Sequence, residues 1–257
     1  MTDLQAILDK GGPWEQARII GDQLLIQGDC REVMAVLPRV DAVVTDPPYG
    51  VGLTAKQHKW FVAKGDGYAS FDDTPENVSA IVLPAIQMAI LAARSVIVTP
   101  GTKCAWLYPQ PDDIGAIFNS SGTGSGSWGF KCSTPILFYG KCPYLASNMG
   151  RRANSWQQPA TDFADKSDHP CPKPLGMMQW LVVRASLPSE TVLDPFMGSG
   201  TTLVACQRLG RQGIGIELDE SYFKIAAKRV EEACRQPDLF IKAPKPAAPA
   251  QESFFDE

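Results

Sequence analysis

The sequence predicts an α/β fold built on an open, largely parallel sheet with crossover helices. Short apolar runs rich in Val, Ile and Leu alternate with stretches of helical periodicity. The first of these runs end in carboxylates or turn residues, as strands do at the edge where an open parallel sheet binds ligands. The chain of 257 residues is 44% hydrophobic and 20% charged, enough to bury a full core, which excludes wholesale disorder and a fibrous repeat. At this length one large domain, or a core carrying an insertion, is expected.

The elements follow in order. A strand at 24–26 runs to Gly28-Asp29, and a short helix at 30–37 is stopped by Pro38. A second strand at 41–45 runs into Asp46-Pro47-Pro48-Tyr49-Gly50, which cannot continue it because proline has no N–H to give the ladder. Residues 51–67 read as a mobile loop, followed by a helix from about 75 to 93 and a strand at 95–99. A Gly/Ser run at 120–129 precedes a strand at 134–139. After Pro174 a Leu/Met/Trp-rich helix runs to about residue 185. A strand at 192–193 leads into Asp194-Pro195-Phe196-Met197-Gly198-Ser199-Gly200-Thr201-Thr202, with a helix at 201–209, a strand at 212–216, Glu217, and a long helix from 219 to about 235. One domain over 1–241 is expected, with an Ala/Pro-rich disordered tail over 242–257.

Several function classes fall away. No apolar run approaches the roughly 18 residues of a membrane span, so no membrane partner is expected. The opening Met1-Thr2-Asp3-Leu4 has neither basic flank nor apolar stretch, so no signal peptide and a cytoplasmic location are expected. The seven cysteines are odd in number, scattered and without a Cys-x-x-Cys pair, which predicts reduced thiols. His169 and Cys171 have no partner pair at ligand spacing, so no metal site is expected. Oligomeric state is not readable.

Two segments carry chemistry. In Asp194 to Thr202 the glycines at 198 and 200 let the backbone turn tightly beneath a ligand, and the following helix start presents free N–H groups. Glu217 ends the next strand, where an acceptor-only carboxylate can take both hydroxyls of a ribose. Position 203 is Leu rather than a third glycine, which argues against a dinucleotide. In Asp46-Pro47-Pro48-Tyr49, the carboxylate and the Pro47 carbonyl can accept the two hydrogens of an exocyclic amine while Tyr49 stacks on the ring that bears it.

With these residues the chain resembles the S-adenosylmethionine-dependent DNA amino-methyltransferases, which modify adenine N6 or cytosine N4. The resemblance spans residues 22 to 235. Asp46 to Tyr49 is similar to the family's catalytic tetrapeptide, Asp194 to Thr202 to its cofactor loop, and Glu217 to its ribose-binding acid. Gly28-Asp29-Cys30 resembles the segment whose acid approaches the cofactor's adenine end, and His169-Pro170-Cys171-Pro172-Lys173-Pro174 the segment before the helix flanking its methionine end. The tetrapeptide precedes the cofactor loop by about 145 residues, as in the circularly permuted beta group. The resemblance thus implies a three-layer Rossmann-like methyltransferase fold in permuted order, with a small recognition insertion at about 100–165. It further implies catalytic roles for Asp46, Pro47, Pro48 and Tyr49. Cofactor contacts are implied for Asp29, Cys30, Lys173, Asp194, Pro195, Phe196, Gly198, Gly200, Thr201, Thr202 and Glu217. Asp rather than Ser at 46 implies adenine, with cytosine N4 and an inactive DNA- or nucleotide-binding module as alternatives.

Charge distribution points to the same polymer. The net charge of -4 opposes a wholly basic surface, yet residues 114–161 contain no acid and carry Lys131, Lys141, Arg151 and Arg152 among interleaved aromatics. These four are the expected contacts to double-stranded DNA. Finally, Gln236-Pro237-Asp238-Leu239-Phe240 resembles the short peptide by which bacterial DNA-processing proteins dock on the sliding clamp, with Gln236, Leu239 and Phe240 as its contacts.

Overall fold

In the computed structural model, residues 2–52, 71–120, 122, 125–159 and 173–235 are described. Residues 53–67 of the expected loop, His169 to Pro172, the Gln236 to Phe240 peptide and the tail lie outside the described residues.

The chain opens with α1 (Leu4–Lys10), whose first turn is capped by the Asp3 carboxylate accepting from the Ala6 N–H. Strands β1 (Gln16–Ile20) and β2 (Gln23–Gln27) form a hairpin over Gly21, which takes the positive φ of 58° the turn requires. Then come α2 (Cys30–Val36), capped by Asp29, and β3 (Val40–Thr45). A short α3 (Pro75–Asn77) runs through a π-helical turn (Val78–Val82) into α4 (Leu83–Ala92) and β4 (Ala93–Val98). Pro84 has no N–H for the carbonyl four residues back and its ring would crowd that carbonyl, which the wider π-turn relieves.

Strands β5 (Asp113–Phe118), β6 (Ser125–Gly126), β7 (Gly129–Phe130) and β8 (Ser133–Gly140) follow, then α5 (Pro143–Ala146) and β9 (Trp156–Gln157). The chain continues through α6 (Leu175–Ala185), β10 (Thr191–Asp194), α7 (Thr201–Leu209), β11 (Gln212–Glu217) and α8 (Glu220–Arg235).

Nine strands make one sheet in the order β1-β2-β11-β10-β3-β4-β8-β5-β9. Its five central strands, β2 to β4 in that order, are parallel. The C-terminal pair β10 and β11 lies between the N-terminal β2 and β3, which is the permuted arrangement. Successive side chains of a strand serve opposite faces. Thus Leu24, Ile26 and Val43 pack with α1, α2 and α4, while Leu25, Ala42 and Val44 pack beneath α6, α7 and α8. This gives the three layers.

One expectation is corrected. The segment Pro75–Ala92 is long and apolar enough, by length and composition, to cross a membrane. In this fold it lays Val78, Val82, Ala85, Ile86 and Ala89, all fully buried, on the sheet. Within the expected insertion at about 100–165, β8 pairs with β4 and β5 with β8, so both strands extend the main sheet. Among the described residues of that range, those before β5, the β6–β7 pair and α5 lie off the sheet, while β9 rejoins it beside β5.

Candidate active site

Strands β3 and β4 end side by side, so the tetrapeptide after β3 faces the turn after β4. The Asp46 carboxylate accepts from the hydroxyls of Tyr49 and Thr99 on one oxygen, and its other oxygen lies 3.0 Å from the Lys173 ammonium. Lys173 Nζ also donates to the Tyr49 hydroxyl at 2.9 Å and sits 4.6 Å from the centre of its ring. That ring lies on Gly101, where a Cβ would come within 2.6 Å of Tyr49 Cγ. The chain beyond the tetrapeptide is fixed by the buried Asp73 carboxylate, which accepts the N–H groups of Gly50 (2.6 Å) and Val51 (3.1 Å). Burial pushes the Tyr49 phenol well above its ordinary pKa, so it stays a protonated donor.

The loop after β10 is held from within. Asp194 Oδ1 accepts from Thr45 Oγ1 at 2.7 Å and from the Phe196 N–H at 3.1 Å, and Oδ2 accepts from Thr202 Oγ1 at 2.5 Å. Desolvation raises its pKa to about 6 despite these donors. Arg229 ties the next turn, donating to the Ser199 carbonyl at 2.6 Å and to Thr201 Oγ1 at 2.9 Å. Gly200 has φ 76°, and a Cβ there would come within 2.9 Å of Ala226 on α8, so the position is closed to a side chain on two counts.

The Glu217 carboxylate is held by backbone donors. Its Oε2 accepts the Gly198 N–H and its Oε1 the Asp219 N–H, both at 2.9 Å, and no cation pairs with it in these contacts. Burial raises its pKa to about 7, with the two backbone donors opposing.

One cavity at this sheet edge collects most of the predicted residues. Asp29, Cys30, Glu217 and Gly198 line one part, and Asp46, Pro48 and Lys173 another. Asp194, Pro195, Phe196, Thr201 and Thr202 also line it. Pro47, Tyr49 and Gly200 are not on its wall.

Several of these residues also have partners within the protein. Tyr49, expected to stack on the substrate ring, donates its hydroxyl to Asp46. Lys173, expected at the cofactor, also pairs with Asp46. Asp29 is engaged with Arg31 at 2.6 Å and with the start of α2, and the Arg31 hydrogen bond, partly opposed by burial, holds its pKa below the usual range. Asp194 spends both oxygens on the protein itself. Cys30 is a neutral wall, its thiol pushed by burial to about 12. Sequence reasoning missed Thr99, Asp73, Phe71, Met178 and Tyr222. Thr99 had a usable signal, a polar residue directly after a buried parallel strand; Phe71 and Met178 are apolar residues whose sequence context carries no chemical mark.

The expected DNA contacts divide. β8 runs antiparallel to β4, with Gly140 opposite Ser95, and the Lys141 N–H bonds the Arg94 carbonyl at the sheet edge remote from Asp46. Arg152 lies over the Tyr144 ring at 4.6 Å, in the stretch that follows, with the exposed Arg151 beside it. Lys131 instead shares a depression with Val51 and Lys103 on the catalytic edge. The antiparallel course of β8 carries the chain away from the site, which an acid-free composition could not reveal.

The DNA methylase family matches residues 109–228. A putative methylase of Escherichia coli (strain K12), YubD, is 30% identical over 213 residues, spanning 80% of this chain and 88% of that relative. The chain belongs to the N6/N4 DNA methylase family. The type II methyltransferase M.HinfI of Haemophilus influenzae is 23% identical over 266 residues, covering 86% of the methylase and 73% of the relative. Among solved structures, the cytosine-N4-specific PvuII DNA methyltransferase superposes with a TM-score of 0.61 at 15% identity, covering 86% of this chain and 94% of that one. The M1.HpyAVI–SAM complex superposes at 0.57 and 19% identity, covering 80% and 98%. These likenesses show the fold: a Rossmann-like methyltransferase. The methylase is a DNA amino-methyltransferase, and its cofactor is S-adenosylmethionine.

Proposed function

We propose that this methylase transfers the methyl group of S-adenosylmethionine to the exocyclic N6 amine of an adenine extruded from duplex DNA. The observation that carries the reading is that Asp46 and Glu217, ending two strands of one parallel sheet, open onto a single cavity. The cavity fits the cofactor: the half-buried Glu217 carboxylate, its pKa raised to about 7 by desolvation, has acceptor capacity for a ribose diol, and Cys30, Phe196 and Met178 supply uncharged walls. The cofactor supplies an electrophilic methyl group.

The amine is a poor nucleophile because its lone pair is delocalised into the ring. Hydrogen bonding to Asp46 and the Pro47 carbonyl localises that lone pair and aims it, so the residues act mainly by positioning. Thr99 and Lys173 fix the carboxylate. The Tyr49 hydroxyl gives up its place on Asp46 to the substrate amine while its bond with Lys173 remains. Lys173, an ammonium, takes no proton; the amine's proton leaves to Asp46 or to water.

Asp at position 46 favours adenine by family resemblance, and the fold shared with a cytosine-N4 enzyme supports N4 transfer as the second reading. Methyl-labelled S-adenosylmethionine and plasmid DNA from a methylation-free host test both. Label in DNA that disappears with Asp46→Ala is expected, and sequencing of the modified bases reads N6 against N4. An Asp46→Ala protein with full activity refutes the assignment. For the peptide at 236–240 we propose clamp docking; a pull-down unchanged by removal of residues 236–257 refutes it.

A further inference from the structure

The stretch between β5 and β8 leaves the sheet on the catalytic edge, because Ser133 and Phe118, paired with each other, lie four or more residues beyond the end of the β4 contact at Leu137. There β6 and β7 form a minimal hairpin, Gly126 paired with Gly129 and Ser125 with Phe130. Gly129 takes a φ of 112°, so the turn of Ser127 and Trp128 is tight. Trp128 at its tip is 102% exposed and Phe130 is 82% exposed. An isolated hairpin of this size gains nothing in stability from presenting two large aromatic faces to water.

The hairpin faces a depression whose other wall is Val51, two residues past Tyr49, with Thr102 and Lys103, just past Thr99. Among the described residues lining it none is acidic, and two are lysines, Lys103 and Lys131. Exposed aromatics between two cations, beside a tetrapeptide that takes an extruded base, match a stack of bases flanked by phosphates better than they match a protein surface. Extrusion leaves a gap in the duplex, and a planar side chain that fills it offsets the lost stacking.

We propose that Trp128 is a wedge that enters the base stack of duplex DNA at the place vacated by the target base, supported by Phe130, with Lys103 and Lys131 on the flanking phosphates. The inference rests on the methylation reading above. Its test uses the full chain and two duplexes carrying the site found by sequencing the modified bases, one with the target base paired and one with it opposite an abasic position. The doubly substituted Trp128→Ala, Phe130→Ala protein should lose about thirtyfold in kcat/KM on the paired duplex and stay within about threefold of wild type on the other, since an unpaired base needs no wedge. Trp128→Phe, still planar, should stay within about threefold on both. Equal losses on the two duplexes, or no loss on either, overturn the wedge while leaving methylation intact. Wild-type protein inactive on both overturns the methylation reading, and the wedge with it.

Discussion

Replacing Glu217 tests the proposed cofactor site. The carboxyl is half-buried, its pKa raised to about 7 by desolvation, with the Asp219 and Gly198 N–H groups only partly compensating. A diol that donates to it favours the ionised form, so proton loss and cofactor binding are coupled. Between about pH 6 and pH 8 the ionised fraction of the free protein rises from about one tenth to about nine tenths, and the Kd for S-adenosylmethionine should fall about tenfold before levelling. The sign holds for stability as well. A carboxyl whose folded pKa is raised contributes stability below its unfolded value, lost as pH climbs through about 7, so the cofactor should raise Tm more at the alkaline end. Glu217→Gln removes the charge and one acceptor, weakening binding by roughly 2–3 kcal/mol, about 30- to 150-fold, and flattening the pH dependence. Calorimetric titration of both proteins across this range is the assay. The cofactor's own ionisations appear equally in both, so parallel profiles for wild type and Glu217→Gln refute the reasoning.

Gly101→Ala places a Cβ within 2.6 Å of Tyr49 Cγ at a residue with φ 66°, displacing the ring and its contacts to Asp46 and Lys173. Methylation should fall about tenfold or more while cofactor affinity, measured by the same titration, changes less than about twofold. Arg94 holds Glu190 with two bonds of 2.8 Å across the lower end of β4. Burial raises the Glu190 pKa, but Arg94 and the Leu187 N–H outweigh it and leave it lowered. Arg94→Ala should therefore cost about 1 kcal/mol, after allowance for solvent screening, with the Tm difference present at neutral pH and vanishing as pH falls below about 4.

Much of the parallel core was readable because burial on both faces leaves unbroken apolar runs, such as 41–45, and because helix stops such as Pro38 and Gly210 are local. The strand β1 was not, since Gln16 and Arg18 interrupt its apolar residues at a sheet edge, and neither was β5, whose burial alternates only over Gly115 to Ile117. Thr99 became part of the site only through the register of β4 on β3. Asp46 and Lys173, 127 residues apart, carry no sequence sign of their ion pair.

By itself the sequence determined which chemistry is present: two carboxylates at strand ends, a Pro-Pro turn, a glycine loop and their permuted order. These depend on residue type and short spacing, which a chain carries before it folds. The tertiary structure alone decided how those groups are used. It spent Asp194 on Thr45 and Thr202, joined Lys173 and Tyr49 to Asp46, and set Glu217 against the Gly198 and Asp219 N–H groups on the cavity wall. It also split the basic stretch, carrying Lys141 to the far edge and leaving Lys131 with Trp128 in the depression lined by Val51 and Lys103. Charge composition has no direction, whereas the antiparallel run of β8 gives it one.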